Sequence, residues 1–287
     1  MCELDDMDDF AQRRSDVSRR QFGAMALGAG VAAALPRLAN AMDTQGADVE
    51  IKTPDGTCDA YFVHPAKGKY PGVLIWPDIF GLRPAFKDMA TRLAESGYSV
   101  LVINPFYRIQ KAPTSTTTTF DATTRAALTK MMGSLSPTTA ATDGAAFVPW
   151  LDKQPSVDTK KKMGTTGYCM GGPYTFRLAA QFPDRVGAIA TFHGAALAGA
   201  SPDSPHLLVP KMKASALIAI AASDDMTDPK AKDLLEAAFT TAGLPHEVQV
   251  YEGTKHGWCP TDSGVYDHDS AEKAWARLLF WFNKSLV

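Results

Sequence analysis

The sequence predicts an α/β protein: a doubly wound, mainly parallel sheet with helices on both faces. Short β-rich runs alternate with segments of helical apolar spacing along most of the chain. Some of these runs, Gly72–Trp76 and Tyr98–Ile103 among them, are almost wholly apolar, as strands covered on both faces are. Between those two runs lies one helical pattern, and strand, helix and strand together fit the roughly 30 residues of a βαβ unit.

In order, Val49–Lys52 and Ala60–His64, bounded by Pro54-Asp55-Gly56 and Pro65, read as an opening hairpin. After the strand Gly72–Trp76, a helix over Ala85–Ser96 sets Phe86, Met89, Ala90 and Leu93 on one face and stops at Gly97. The strand Tyr98–Ile103 closes the unit. A helix over Ala140–Leu151, a strand over Met163–Gly167, a helix over Gly171–Gln181 and a strand over Gly187–Phe192 repeat the pattern. A strand over Ala216–Ala222, a helix over Lys230–Ala242, a strand over Glu247–Tyr251 and a terminal helix over Ser270–Lys284 complete it. The stretch Ile109–Thr139, with its Thr-rich run Ser115–Thr119, fits neither period. It reads either as a cap over a site or as a long solvated connection. No repeat, linker or shift of composition divides residues 42–287, so they are expected to form one domain.

The first 41 residues read differently. Ser18-Arg19-Arg20-Gln21-Phe22 precedes an uncharged small-residue stretch, Gly23 to Leu35, and then Leu38-Ala39-Asn40-Ala41. A twin-arginine pair, a short apolar region and an Ala-x-Ala site are the pattern of a Tat export signal cleaved after Ala41. The apolar run is too short and too rich in Gly and Ala for a secure span. The expectation is therefore a periplasmic protein that meets the Tat machinery and has no stable membrane association after cleavage. Cys2 would leave with the signal. Cys58, Cys169 and Cys259 remain, an odd number, and a Cys58–Cys259 disulfide is one open arrangement.

With 45% apolar and 21% charged residues, the composition excludes disorder, collagen-like sequence and a disulfide scaffold. A net charge of −2, from 29 Lys+Arg against 31 Asp+Glu, provides no footprint for nucleic acid and points to a small-molecule partner. His64, His206, His246 and His268 show no metal-ligand spacing, and no metal is expected.

The sharpest chemical signal is Gly167-Tyr168-Cys169-Met170-Gly171-Gly172, where a strand meets a helix. It has the G-x-nucleophile-x-G form of a nucleophile elbow, with Cys in the nucleophile's place. The turn is strained, and a Cβ two residues to either side would collide with the adjoining strand or helix. Cys169 would stand at a helix N-terminus, which favours a thiolate, and the Met170 amide would point at a developing oxyanion. An acid after a later strand and a histidine in a late loop should follow. Ile218–Ala222 leads into Ser223-Asp224-Asp225, and Gly253-Thr254-Lys255-His256-Gly257-Trp258 follows the last strand. His256 would carry the thiol proton, held in its tautomer by an aspartate. Asp224 lies nearer the strand end, while Asp225 is expected to cap the turn toward Pro229. Tyr107 and Arg108, after a strand end, are either an anion-binding pair or surface residues. Trp258, beside His256, is a candidate substrate contact, and His193 reads as a satisfied core histidine.

Gly-Tyr-Cys-Met-Gly-Gly at 167–172, Asp78-Ile79-Phe80-Gly81, Asn104-Pro105-Phe106-Tyr107-Arg108 and Lys255-His256-Gly257 together resemble the dienelactone hydrolases (carboxymethylenebutenolidases), from about Ile51 to Phe282. The resemblance implies an α/β-hydrolase fold, no cofactor, and hydrolysis of small lactones or esters, dienelactone to maleylacetate being the best-known case. It implies Cys169 as nucleophile, Asp224 as acid, His256 as base, the amides of Met170 and Ile79 as oxyanion hole, and Arg108 as carboxylate binder. Many members carry a Glu that helps activate the thiol; this chain has Asp78, one methylene shorter. The best-studied members act on cytoplasmic intermediates, so an exported chain need not share the dienelactone substrate. Two other readings are a broader carboxylesterase on the same scaffold and a catalytically silent binding or redox protein.

Overall fold

The hairpin that opens the sheet consists of β1 (Thr44–Thr53) and β2 (Gly56–Pro65) in a computed structural model that describes residues 41–287. Next come β3 (Gly72–Trp76), α1 (Pro84–Glu95), β4 (Ser99–Ile103), α2 (Ala122–Met132), α3 (Pro137–Asp152), β5 (Met163–Tyr168) and α4 (Gly172–Gln181). β6 (Val186–Phe192), β7 (Ser215–Ala221), the short α5 (Ala222–Thr227), α6 (Lys230–Ala242), β8 (His246–Tyr251) and α7 (His268–Leu286) complete the chain. The sheet order is β1-β2-β4-β3-β5-β6-β7-β8. β2 is antiparallel to β1 and to β4, and every pairing from β4 to β8 is parallel.

Every residue of β3, β4 and β5 is buried, which explains why these strands show no alternation. Successive side chains of β3 enter different cores. Leu74 and Trp76 pack with Phe147 and Leu151 of α3, Phe176 of α4 and Phe239 of α6. Val73 and Ile75 pack with Phe86 and Leu93 of α1 and with Leu278 and Phe282 of α7. The four apolar residues expected on one face of α1 are all buried there. Each large side chain so buried contributes roughly 1.5–3 kcal/mol. The parallel strands share one direction, so their carboxyl ends, with the loops that carry chemistry, come out on one edge.

The hairpin is longer than its apolar pattern suggests, because most of β1 is solvent-exposed and leaves no hydrophobic period to read. Ile109–Thr139 is not an open loop: it contains α2, capped by Asp121, which accepts a bond from the Thr124 amide at 2.8 Å. Only Leu128 and Met131 of that helix are buried, too few to show a stripe. α5 has no buried residue and left no signal either. Cys58 and Cys259 are separate free thiols in the cores on opposite faces of the sheet, so the disulfide between them is not formed. The twin-arginine segment and the residues before Ala41 in its cleavage site lie outside the described residues. Among the described residues no helix is long and apolar enough to cross a membrane.

Candidate active site

β5 delivers Cys169 into a left-handed backbone conformation, φ 51°, at the start of a single tight turn, Cys169–Gly171, that runs into α4. A side chain other than glycine's costs energy there, and the surroundings leave the chain no other path. A Cβ on Gly167 would lie 2.3 Å from the Gly171 carbonyl oxygen, one on Gly171 would lie 2.1 Å from that of Trp76, and one on Gly172 would lie 2.8 Å from the Gly194 Cα. The first two collisions are the steric reason for the G-x-C-x-G spacing. The second also shows that the elbow rests directly on the end of β3, so Met170 and the Asp78–Phe80 loop are held side by side.

His256 and its aspartate meet through a lashing of two loops. The Thr254 hydroxyl donates to the Tyr251 carbonyl at 2.7 Å and accepts from the Ala222 amide at 3.2 Å. The Ser223 amide donates to the Thr254 carbonyl at 3.2 Å, and the His256 amide to the Ser223 hydroxyl at 2.9 Å. Left-handed glycines, Gly253 and Gly257, bracket the turn. The loop after β8 is thereby tied to α5, in whose first turn Asp224 stands. The Asp224 carboxylate takes His256 Nδ1 at 2.8 and 3.0 Å, whereas Asp225 accepts from Lys232 Nζ at 2.7 Å. Asp225 is thus an ion-pair partner of α6, not a turn cap. Partial desolvation works against a charge on His256, but Asp224 and the Cys169 sulfur outweigh it and lift the imidazole to about 10.

Cys169, His256, His193, Asp78, Ile79 and Phe80 open on one cleft of about 610 Å³. Thr118, Thr119 and Phe120 of the stretch before α2 form its opposite wall, with Asp262–Val265 as the rim. Leu128 and Met131 of α2 pack with Phe106 on Met170, next to the nucleophile. The Ile109–Thr139 stretch is therefore a cap over the cleft, the first of the two readings its sequence allowed. Asp78 is buried in the wall, its carboxylate paired bidentately with Arg83 at 2.7 and 2.9 Å and accepting from the Phe80 amide at 2.9 Å. Burial pushes this carboxyl up and outweighs the downward pull of Arg83.

Three of the expected substrate contacts lie elsewhere. Arg108 bonds Asp55 at 2.7 Å and Asp143 at 2.7 and 3.0 Å, because the turn after β4 carries it beneath the opening hairpin and against α3. Tyr107 joins the same network: its hydroxyl donates to Asp143 at 2.7 Å and meets the Thr53 hydroxyl at 2.8 Å. Trp258 has no exposed surface and stacks on Tyr251, ring centres 4.7 Å apart, because the left-handed Gly257 turns the chain inward after His256. None of the three lines the cleft. His193 does. It is fully buried, as a core histidine is, but it is not satisfied: neither ring nitrogen has a hydrogen-bond partner among the described residues. Its ring centre lies 5.1 Å from that of His256, and burial, with help from His256, holds it well below 6.5 and so neutral. Arg83 and Asp262 also escaped the sequence reading. Asp78 five residues before Arg83 was a readable hint, but the sequence separation of 179 between Arg83 and Asp262 hid the rest.

Comparison with known proteins adds to this geometry. The profile of the dienelactone hydrolase family matches residues 58–286. A carboxymethylenebutenolidase of Rhodococcus opacus is 26% identical, over 82% of this chain and 90% of its own. The carboxymethylenebutenolidase of Pseudomonas putida is also 26% identical, over 83% and 95%. Among solved structures, a dienelactone hydrolase-like promiscuous phosphotriesterase from metagenomic libraries superimposes with a TM-score of 0.70 at 21% identity, over 85% of this chain and 99% of that one, a likeness of fold.

Proposed function

The chain belongs to the dienelactone hydrolase family, and from that premise we propose that it cleaves a small lactone or ester through a Cys169–His256–Asp224 triad and a thioester acyl-enzyme. It has the α/β-hydrolase fold and is a hydrolase. The observation that supports the finer reading is the convergence of the strained Cys169 and the Asp224-bound His256 on one cleft.

In this mechanism the proton of Cys169 has already passed to His256, and the Cys169 sulfur attacks the carbonyl carbon. With Nδ1 committed to Asp224, Nε2 is the nitrogen left for that exchange. The negative charge that develops on the carbonyl oxygen is received by the amides of Met170 and Ile79, an arrangement whose donors are typically worth about 3 kcal/mol each in the transition state. His256 returns the proton to the departing alkoxide, the carbon–oxygen bond breaks and a thioester remains. Water, losing its proton to His256, then attacks the thioester; the acid leaves and the thiol is restored. The raised pKa of His256 keeps it protonated at neutral pH, so a proton is at hand for the departing alkoxide.

The test is a hydrolysis screen of lactones and aryl esters with the purified protein and with Cys169→Ala. The variant is expected to melt as the wild type does and to lose about 10⁶ in kcat. The wild type, quenched during turnover, should carry the acyl mass on the Cys169 peptide. Turnover by Cys169→Ala, or acyl mass on another residue, would sink the mechanism. We also propose that residues 1–41 direct Tat export, on the strength of Arg19-Arg20 and the Ala-x-Ala site. Changing both arginines to lysine should leave the protein in the cytoplasmic fraction.

A further inference from the structure

The cleft contains a cation that has nothing left to offer a substrate. Arg83 is the only Lys or Arg that lines it among the described residues. A guanidinium has five N–H donors, and here all five are taken. Nε donates to Asp262 Oδ2 at 2.7 Å and Nη2 to Asp262 Oδ1 at 3.0 Å. Nη1 and Nη2 donate to the two oxygens of Asp78 at 2.7 and 2.9 Å, and the remaining Nη1 hydrogen goes to the Gly81 carbonyl at 3.3 Å. The charges tell the same story. Two carboxylates face one guanidinium, so the cluster is negative with both ionised and neutral with one protonated; in neither state is it positive. The imidazolium of His256 is bound by Asp224 and faces the reacting atoms. Arg108, the cation the sequence offered for a substrate carboxylate, is held by Asp55 and Asp143 outside the cleft. What remains around Cys169 carries no charge: the neutral His193, the side chains of Thr118, Thr119 and Ser263, and an apolar group of Ile79, Phe80, Phe120 and Val265, with the rings of Phe80 and Phe120 edge to face at 6.0 Å.

We infer that the substrate of this cleft is an uncharged ester or lactone with an apolar acyl or alkyl group, and that the Asp78–Arg83–Asp262 cluster selects against esters that carry a carboxylate. This deepens the hydrolase reading above and rests on it. A carboxylate brought into the cleft sheds water and finds no free donor of positive charge in return, whereas a neutral chain loses only its contact with water on meeting the phenylalanine walls. Selection here works by withholding a partner: the arginine that could have received an anion is neutralised by the protein's own aspartates.

The test uses two 4-nitrophenyl esters with one leaving group and nearly one shape: mono-4-nitrophenyl glutarate, anionic at pH 7.5, and its methyl-capped twin, which is neutral. Uncatalysed hydrolysis is subtracted. The wild type is expected to favour the neutral ester in kcat/KM by about tenfold or more at low salt, and the ratio should narrow as salt is added. Asp262 is the more exposed of the two carboxylates, and Asp262→Asn removes one negative charge and loosens Arg83. That variant should shift the ratio toward the anionic ester by at least about threefold. Equal or faster turnover of the anionic ester by the wild type, with both activities lost in Cys169→Ala, would overturn the charge selection and leave the triad standing. A normally melting Asp262→Asn with an unchanged ratio would overturn the role of the cluster. Hydrolysis that survives Cys169→Ala would overturn the Cys169 triad, turnover of neither ester would overturn the ester-hydrolase reading, and this inference would fall with either.

Discussion

One wall of the cleft is made of loops at the carboxyl ends of β3, β5, β6 and β8, and the other is the cap around α2; they are held in very different ways. On the first wall, position is dictated by backbone. A Cβ at Gly171 would meet the Trp76 carbonyl oxygen at 2.1 Å, and the His256 loop is lashed to α5 by three hydrogen bonds, two of them through the Thr254 hydroxyl and the Ser223 hydroxyl. On the second wall, α2 rests on two buried side chains, Leu128 and Met131, and its neighbours on single hydroxyl contacts, Thr114 to the Phe80 carbonyl at 3.0 Å and Thr118 to the Asp262 carbonyl at 2.9 Å. The difference suggests a division of labour. A reacting group displaced by about 1 Å can lose 10²-fold in rate, so it needs a rigid mount. A wall that only contacts substrate tolerates movement, and low local stability lets it open. Substitutions on the first wall should then act on kcat and those on the second on KM.

The largest contrast expected in the first wall is between adjacent aspartates. Asp224→Asn removes the acceptor that holds His256 Nδ1 and should cost about 10⁴ in kcat. Asp225→Asn disturbs only the pair with Lys232 and should cost less than about tenfold. The pH profile sharpens the same contrast. The protonated form of His256 persists below its raised value of about 10 and is lost above it. Hydrolysis of alkyl esters, which needs that proton on the leaving group, is therefore expected to hold up to about pH 10 and then fall. In Asp224→Asn one of the two upward influences is gone, and the fall should begin at lower pH. An alkaline limb that stays in place would show that Asp224 does not set the protonation of His256.

Next in size is Gly171→Ala, which leaves all three proposed triad residues in the chain. The added carbon must push the elbow away from the Trp76 and Pro77 carbonyls, at a cost of about 1–3 kcal/mol in stability. It should also separate Met170 from Ile79, with a loss on the order of 10² in kcat and little change in KM. Unaltered kcat in a folded Gly171→Ala would mean that the close seating of the elbow on β3 is structural only.

The two walls also differ in how well the sequence announced them. The elbow was readable because a strand, a helix and steric collision leave the same small residues at fixed spacing, and Asp224 and His256 because one follows the apolar run of β7 and the other the last strand, β8, with its alternating Val248 and Val250. The cap was not, since α2 presents two apolar anchors in eleven residues and no stripe. Arg108 and Trp258 show a second limit. Each sits next to a residue whose placement the pattern does fix, but a turn separates neighbours in sequence: the left-handed Gly257 sends His256 to the cleft and Trp258 to the core. The Arg83–Asp262 pair bridges loops far apart in the chain, and no local period records such a contact.

The smallest effect belongs to the cap, and it is the one that would most directly break the comparison. Phe120 is exposed over part of its surface, lines the cleft and meets Phe80 edge to face, so Phe120→Ala removes apolar contact with substrate and no group the proposed chemistry uses. The ring's contribution is that of a partly buried aromatic pair, about 0.5–1.5 kcal/mol. KM for the neutral glutarate ester should accordingly rise by roughly 2- to 12-fold, with kcat within about twofold of the wild type. Thermal melting should be unchanged, because the sheet and its two main cores do not include this ring. A fall in kcat as large as that of Gly171→Ala would mean that the cap helps position the reacting groups. The two walls would then have to be treated as one catalytic unit, with cap closure as a step in turnover rather than a passive boundary.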